Sequence, residues 1–362
     1  MADAAPSDRE AAVLDRIEAF RRRRPTLRDE VITLAHGAGG KASAALVSDV
    51  FLDAFEVEPG PLPDAATLTL AGGVRLAFST DSFVVKPLRF PGGSIGHLAI
   101  HGTVNDLAMQ GAVPRWLSAA FVIEEGFPVA ELRAVAADMA EAARSAGVSV
   151  VTGDTKVVGR GAADGLFITT AGVGLIPPGC ELGPERVRPG DAVLVSGTIA
   201  DHGMAVMLAR GDLALEADIR SDTAPLGALV SDLLAAAPGT RWLRDPTRGG
   251  VGTVCNELAR DSGHGVALDE SALPINPAVI GACDLLGIDP LYVANEGKLI
   301  AVVDASEAPA ALDALRSHPL GKDAAVIGEI VADPPRIVVL RTTFGGTRIV
   351  DMLVGDPLPR IC

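Results

Sequence analysis

The chain has 362 residues, 48% of them hydrophobic, and a formal net charge of -15. That length and apolar share suit two ordinary domains with real cores, while the negative charge repels nucleic acid and anionic membranes at long range. Only 4% of residues are aromatic, so single-stranded bases find little to stack on, and the four cysteines (Cys180, Cys255, Cys283 and Cys362) form no CxxC pair, which argues against a zinc ribbon or redox dithiol and for a reducing cytoplasm.

In chain order, residues 1–29 read as an arm, a short solvated helix on a flexible terminus. Its "RRRR" at 21–24 has no apolar stretch beside it, so no signal peptide is expected. Asp8, Glu10, Asp15 and Glu18 argue against a mitochondrial presequence. No apolar run anywhere approaches the ~18 residues of a membrane span. Residues 30–180 read as a first α/β domain. Strands are expected at "VRLAFST" (74–80), "WLSAAFVI" (116–123) and "LFITTAGVGLI" (166–176). A helix opens on a Ser cap at "SIGHLAIHGTVNDLAMQG" (94–111), and another runs from Pro128 to the stop at Gly147. A hinge dense in Pro and Gly (177–191) leads to a second α/β domain, 190–345, closed by the hairpin-like "RIVVLRTTFGGTRIV" (336–350). Residues 346–362 are assigned to a mobile tail that ends on the thiol of Cys362.

Several stretches carry chemistry. In "AHGAGGK" (35–41), glycines including Gly39 and Gly40 let backbone approach a ligand, and Lys41 can meet an anion, although the spacing is not that of a Walker A loop. Asp64, Asp81, Asp106, Asp154 and Asp245 stand mostly at strand ends and turns, where sites gather in α/β folds. Each taken alone is more often a turn former or a helix N-cap. Together, near a glycine-rich loop, they suit Mg²⁺ held through carboxylates and phosphate oxygens. Lys156 in "GDTKVV", expected just past a strand, is a charge clamp or a tuned base. Glu296 in "ANEGKL" is a general base or a solvated turn residue. His97 and His101 have a zinc-compatible i,i+4 spacing but no third ligand in any motif.

The motifs "HGAGGK", "PDAA", "STDSFVV", "GTVNDLAMQGAVP", "GDTKVV", "DPTRGG", "LYVANEGKL" and the terminal "PRIC" occur in that order. In this the chain, from about 33 to 362, resembles the HypE carbamoyl dehydratases of NiFe-hydrogenase maturation. These belong to the ATP-binding superfamily of aminoimidazole ribonucleotide synthetase, selenophosphate synthetase and thiamine-monophosphate kinase. The resemblance implies a two-domain fold whose N-terminal domain forms a β-barrel shared across a homodimer. It implies that Gly39, Gly40, Lys41, Asn105 and the aspartates 64, 81, 106, 154 and 245 serve ATP. Asp64, Asp81, Asp106 and Asp154 would hold Mg²⁺, and Lys156 and Glu296 would act on the amide. It further implies that the carbamoyltransferase HypF loads Cys362, and that the HypC–HypD scaffold receives the cyanide. A small-molecule kinase or synthetase of the superfamily would explain the aspartates but not the tail. A non-catalytic carrier would use the tail only to shuttle a group between partners, with ATP as a structural ligand. Prenylation needs three residues after the cysteine, and there are none.

Overall fold

The computed structural model describes residues 27–57, 60–211 and 217–353; the arginine run and Cys362 lie outside them. The first described helix, α1 (Gly40–Leu46), continues through Val47–Leu52 as a π-helical turn. Then follow β1 (Ala66–Thr69), β2 (Arg75–Phe83), the short pair β3 (Arg89–Phe90) and β4 (Gly93–Ser94), α2 (Ile95–Met109), β5 (Val113–Glu124), α3 (Val129–Ala146), β6 (Ser149–Val158) and β7 (Leu166–Ile176). Strands 1, 2, 7, 5 and 6 form one sheet in that order, antiparallel except where β5 meets β6.

The second half contains β8 (Ala192–Val195), α4 (Asp201–Ala209), α5 (Gly227–Ala236), β9 (Thr240–Arg244), α6 (Gly250–Ser262), β10 (Gly265–Asp269), α7 (Pro277–Leu286), β11 (Ile300–Val303), α8 (Ala308–Ser317), β12 (Ala325–Val331), β13 (Val338–Arg341) and β14 (Thr347–Val350). Its seven strands are ordered 14-13-10-12-8-11-9. The hairpin expected at 336–350 is β13–β14, so paired chain runs into the segment assigned to the tail. Hydrogen bonding of Thr347 to Val350 against β13 satisfies backbone groups that a free tail would leave to water.

Helix α2 joins the two halves. It is apolar nearly all round and buried nearly all round, as such a helix must be. One side lies on β2 and β7, another meets α3, and a third meets α5 and β9 of the second domain. Ser94 stands at its N-cap, yet its hydroxyl is committed elsewhere, donating to Asp138 at 2.6 Å. The opposite face of the first sheet bears exposed apolar side chains, among them Leu68, Phe78 and Trp116. Edge strand β6 is exposed along almost its whole length. Cys255 and Cys283 fill the cores as small apolar groups, and burial pushes their thiols up to about 12 and about 11. No described helix is long and apolar enough to cross a membrane.

Candidate active site

Carboxylates from three distant segments converge where the domains meet. Asp64 precedes β1, Asp106 rides on α2 and Asp245 follows β9; one oxygen of each lies within 4.8 Å of the others. Backbone packing makes this possible. A Cβ on Gly102 would sit 2.9 Å from the Phe83 ring, so glycine there lets α2 lie low on β2 and carry Asp106 to the cluster. Ser79 on β2 bridges both partners, its single hydroxyl proton shared between the Asp64 carbonyl and the Asp106 carboxylate. Arg244 closes the cluster from the second domain, 2.7 Å from Asp64 and 3.1 Å from Glu257.

The charge is nonetheless unbalanced. Burial, then repulsion by Asp245, Asp64 and Asp81, holds Asp106 well above the usual carboxylate range. Burial raises Asp64 likewise, against the pull of Arg244, and lifts Asp245 to about 6. Asp81, two residues beyond Ser79 on β2, is raised by burial that outweighs Arg248. Asp64 Oδ2 is buried without a hydrogen-bond partner. An orphaned carboxylate oxygen beside two more, all oxygen donors, fits a hard divalent cation such as Mg²⁺.

Glu296 borders the same cluster. It is buried in the loop before β11, and burial, followed by the charges of Asp245, Asp81 and Asp222, raises it well above a free glutamate. Its neighbour Asn295 staples the "DPT" turn, donating to Pro246 O at 2.9 Å and accepting Ala200 N–H at 2.7 Å. Asn105, expected on the nucleotide, has its amide committed to backbone. It donates to Ala224 O at 3.0 Å and Glu296 O at 3.4 Å, and accepts Leu226 N–H at 2.8 Å.

The glycine loop lies at the rim. Arg248 Nη1 donates to Gly37 O at 3.2 Å, linking "HGAGGK" to "DPTRGG". Gly40, with φ 73, backs directly onto the Leu353 carbonyl, which a side chain would strike. Lys41 donates its N–H to that carbonyl at 3.0 Å, and its ammonium pairs with Asp351 at 2.8 Å. Tyr292 Oη donates to the Asp351 carbonyl at 2.8 Å. The last described residues of the chain are therefore fastened to the loop that would cover a nucleotide.

Asp154 and Lys156 stand apart. The sequence expects them just past a strand; they lie within β6, because Thr155, Val157 and Val158 keep the chain extended and paired to β5. They form an exposed ion pair of 2.8 Å. Register sets Asp154 opposite Ala120, Ala120 opposite Thr169 and Thr169 opposite Ser82, on the face away from α2. Asp81 pairs with Thr170 on the α2 side, three strand spacings away, or about 14 Å. Within one protomer Asp154 and Lys156 therefore do not meet Asp64, Asp106 and Asp245. The histidine pair is no metal centre among the described residues. His101 is buried, meets Thr223 Oγ1 at 3.1 Å, and is pushed down to about 3 by burial and by His97.

Sequence reasoning missed Ser79, Asp222, Arg244 and Arg248. For the two arginines a signal existed, since both lie within "LRDPTRGG" and buried carboxylates require a cation.

Comparison with known proteins agrees with this architecture. Residues 63–176 match the N-terminal domain and residues 188–340 the C-terminal domain of the AIR synthase related proteins. Carbamoyl dehydratase HypE of Rhodobacter capsulatus is 57% identical over 340 residues, covering 93% of this chain and 99% of its own. That of Escherichia coli is 51% identical over 337 residues, covering 91% and 99%. A crystal structure of a HypE–HypF complex superposes with TM-score 0.80 at 48% identity over 85% of this chain and 100% of that one. A HypE structure in complex with ATP gives 0.77 at 47% identity over 92% and 100%. Thiamine monophosphate kinase of Aquifex aeolicus, 19% identical with TM-score 0.59 over 78% and 93%, shares the fold. With both domains matched and relatives more than half identical over nearly the whole length, the chain belongs to the HypE carbamoyl dehydratases, ATP-dependent enzymes of hydrogenase maturation.

Proposed function

We propose that this chain dehydrates a carbamoyl group carried on its own Cys362. The thiocarboxamide S–C(=O)–NH₂ and ATP would become the thiocyanate S–C≡N, ADP and phosphate, with the cyanide passed on to hydrogenase iron. An amide oxygen is a poor leaving group as hydroxide and a good one as phosphate, so the site must bring ATP to that oxygen. The observation that carries the reading is the convergence of Asp64, Asp106 and Asp245 with buried Glu296 at one domain junction.

In this reading Asp64, Asp106 and Asp245 hold Mg²⁺, with Asp81 beside them. The ion supplies neutralising charge for the phosphates of ATP. Gly39 and Gly40 let the loop approach the nucleotide, and Lys41 turns from Asp351 to a phosphate oxygen. After transfer of the γ-phosphoryl group, the amide nitrogen must lose its protons as phosphate departs. Glu296, whose affinity for protons is raised by burial and by the neighbouring carboxylates, is suited to take one. Asn105 contributes by fixing the loops around the site rather than by touching phosphate.

Lys156 and Asp154 join the chemistry only from a second copy. The uncovered, partly apolar face of the first sheet and the open edge of β6 support a homodimer in which two such sheets close on one another. HypF, present in the complex formed by a relative, is the proposed donor of the carbamoyl group. The HypC–HypD scaffold is the proposed acceptor of the cyanide.

Mass spectrometry of the C-terminal peptide tests the reaction. Carbamoylation adds about 43 Da to Cys362, and conversion to thiocyanate leaves about 25 Da, as a covalent route requires. Persistence of the heavier species with Mg-ATP would overturn the dehydratase reading. Cys362→Ala should bind ATP normally and acquire neither mass.

A further inference from the structure

Glu296 does not hold its place by its own contacts alone. Against it runs segment 219–226, whose "SDTAPL" belongs to none of the motifs above. The N-terminal domain grips this strap from one side. Ser221 N–H donates to Pro91 O at 2.8 Å, the Thr223 hydroxyl meets His101, and Asn105 brackets Ala224 and Leu226. The second domain grips it from the other. Asp222 Oδ1 accepts the Glu296 backbone N–H at 3.0 Å, and the Lys298 ammonium lies 3.6 Å from Asp222 Oδ2. Between them Gly297 packs so closely that a Cβ would overlap the Asp222 carbonyl. The Asp222 side chain is 3% exposed and that of Lys298 12%. A carboxylate buried to this degree is costly unless donors or charges meet it. Those it meets lie at both ends of the turn that carries Glu296.

The geometry points to Asp222 as the positioning residue for Glu296, a strut through which α2 and the strap fix the base at the reacting amide. The inference rests on Glu296 acting in the dehydration. Oδ1 orients the Glu296 N–H, Oδ2 steadies Lys298, and the turn between them has no freedom to rotate its carboxylate away from the acidic cluster. No bond to Asp222 forms or breaks.

The test uses full-length chain loaded with carbamoyl on Cys362 and follows single-turnover formation of thiocyanate with Mg-ATP. Asp222→Ala should slow the step about 10- to 100-fold, the effect of a misplaced catalytic group, with the KM for ATP within about 2-fold of the parent. Asp222→Asn keeps an acceptor for the Glu296 N–H and should recover most of the rate. Thermal melts confirm that both variants fold. An Asp222→Ala rate equal to the parent, an equal loss in both variants, or a loss confined to ATP KM would each overturn the positioning role. Glu296→Gln at the parent rate would instead sink the base assignment beneath it. A slow Glu296→Gln with a fast Asp222→Ala would sink the positioning alone.

Discussion

At the scale of single residues, the acidic cluster stores unfavourable charge that a cation relieves. Asp245 is lifted from 3.8 to about 6, and burial holds Asp64 and Asp106 well above the usual carboxylate range. A carboxyl with a raised folded pKa binds protons more readily in the fold than in the unfolded chain. Metal-free protein therefore loses stability as pH rises from about 4 through the folded pKa of Asp245, about 6. In the proposed site Mg²⁺ would bind the ionised set and remove this loss. The gain in Tm on adding MgCl₂ to dialysed protein should be larger at about pH 7.5 than at about pH 5.5, and Asp245→Asn should abolish most of it, as differential scanning fluorimetry would read. A gain independent of pH in the parent would dissociate the cation from these carboxylates. Singly, each aspartate could be a turn former; it was their recurrence at strand ends near a glycine-rich loop that marked them, and Asp64, Asp106 and Asp245 do converge in the structure. For Arg244 the motif was visible but the role was not, because the role of a cation is decided by what faces it. Its partners Asp64 and Glu257 come from other segments.

Elements transmit this chemistry through close backbone contact. Helix α2 carries Asp106, Asn105 and His101, and its seating on β2 depends on the bare Gly102 against Phe83. Gly102→Ala should cost about 1–3 kcal/mol in denaturant unfolding through overpacking, and should weaken Mg-ATP binding by tilting Asp106 away from Asp64. Unchanged nucleotide affinity alongside lost stability would confine the glycine to packing. The sequence places β7 to the residue, since alternate positions of 166–176 are buried in strict order. It misjudges β6, where Gly153 and Asp154 interrupt the apolar pattern although pairing with β5 continues. It could not show the strap, because Asn105 and Ala224 are 119 residues apart and no local pattern records a bond of that range.

For the whole molecule, the two faces of the first sheet divide the labour. Glu296 and the acidic cluster lie on the α2 side, Lys156 and Asp154 on the other. If two copies complete each site, Lys156→Ala and Glu296→Ala protomers, each inactive, should complement after subunit exchange. A random mixture would regain about a quarter of parent activity, since half the dimers are mixed and each holds one intact site. No recovery in demonstrated heterodimers would place Lys156 and Glu296 in the same protomer's site or remove one of them from the chemistry.

The fastening of Leu353 to Lys41 sets a leash. With Leu353 held in place, nine further residues could reach about 30 Å at full extension, so the thiol of Cys362 could come no farther than a sphere of that radius centred beside the glycine loop. Any enzyme that loads or unloads the thiol must open its catalytic cleft inside that sphere. In the proposed reaction its footprint would then fall on the flank of the glycine loop that admits ATP, so that visiting proteins and nucleotide would share one doorway.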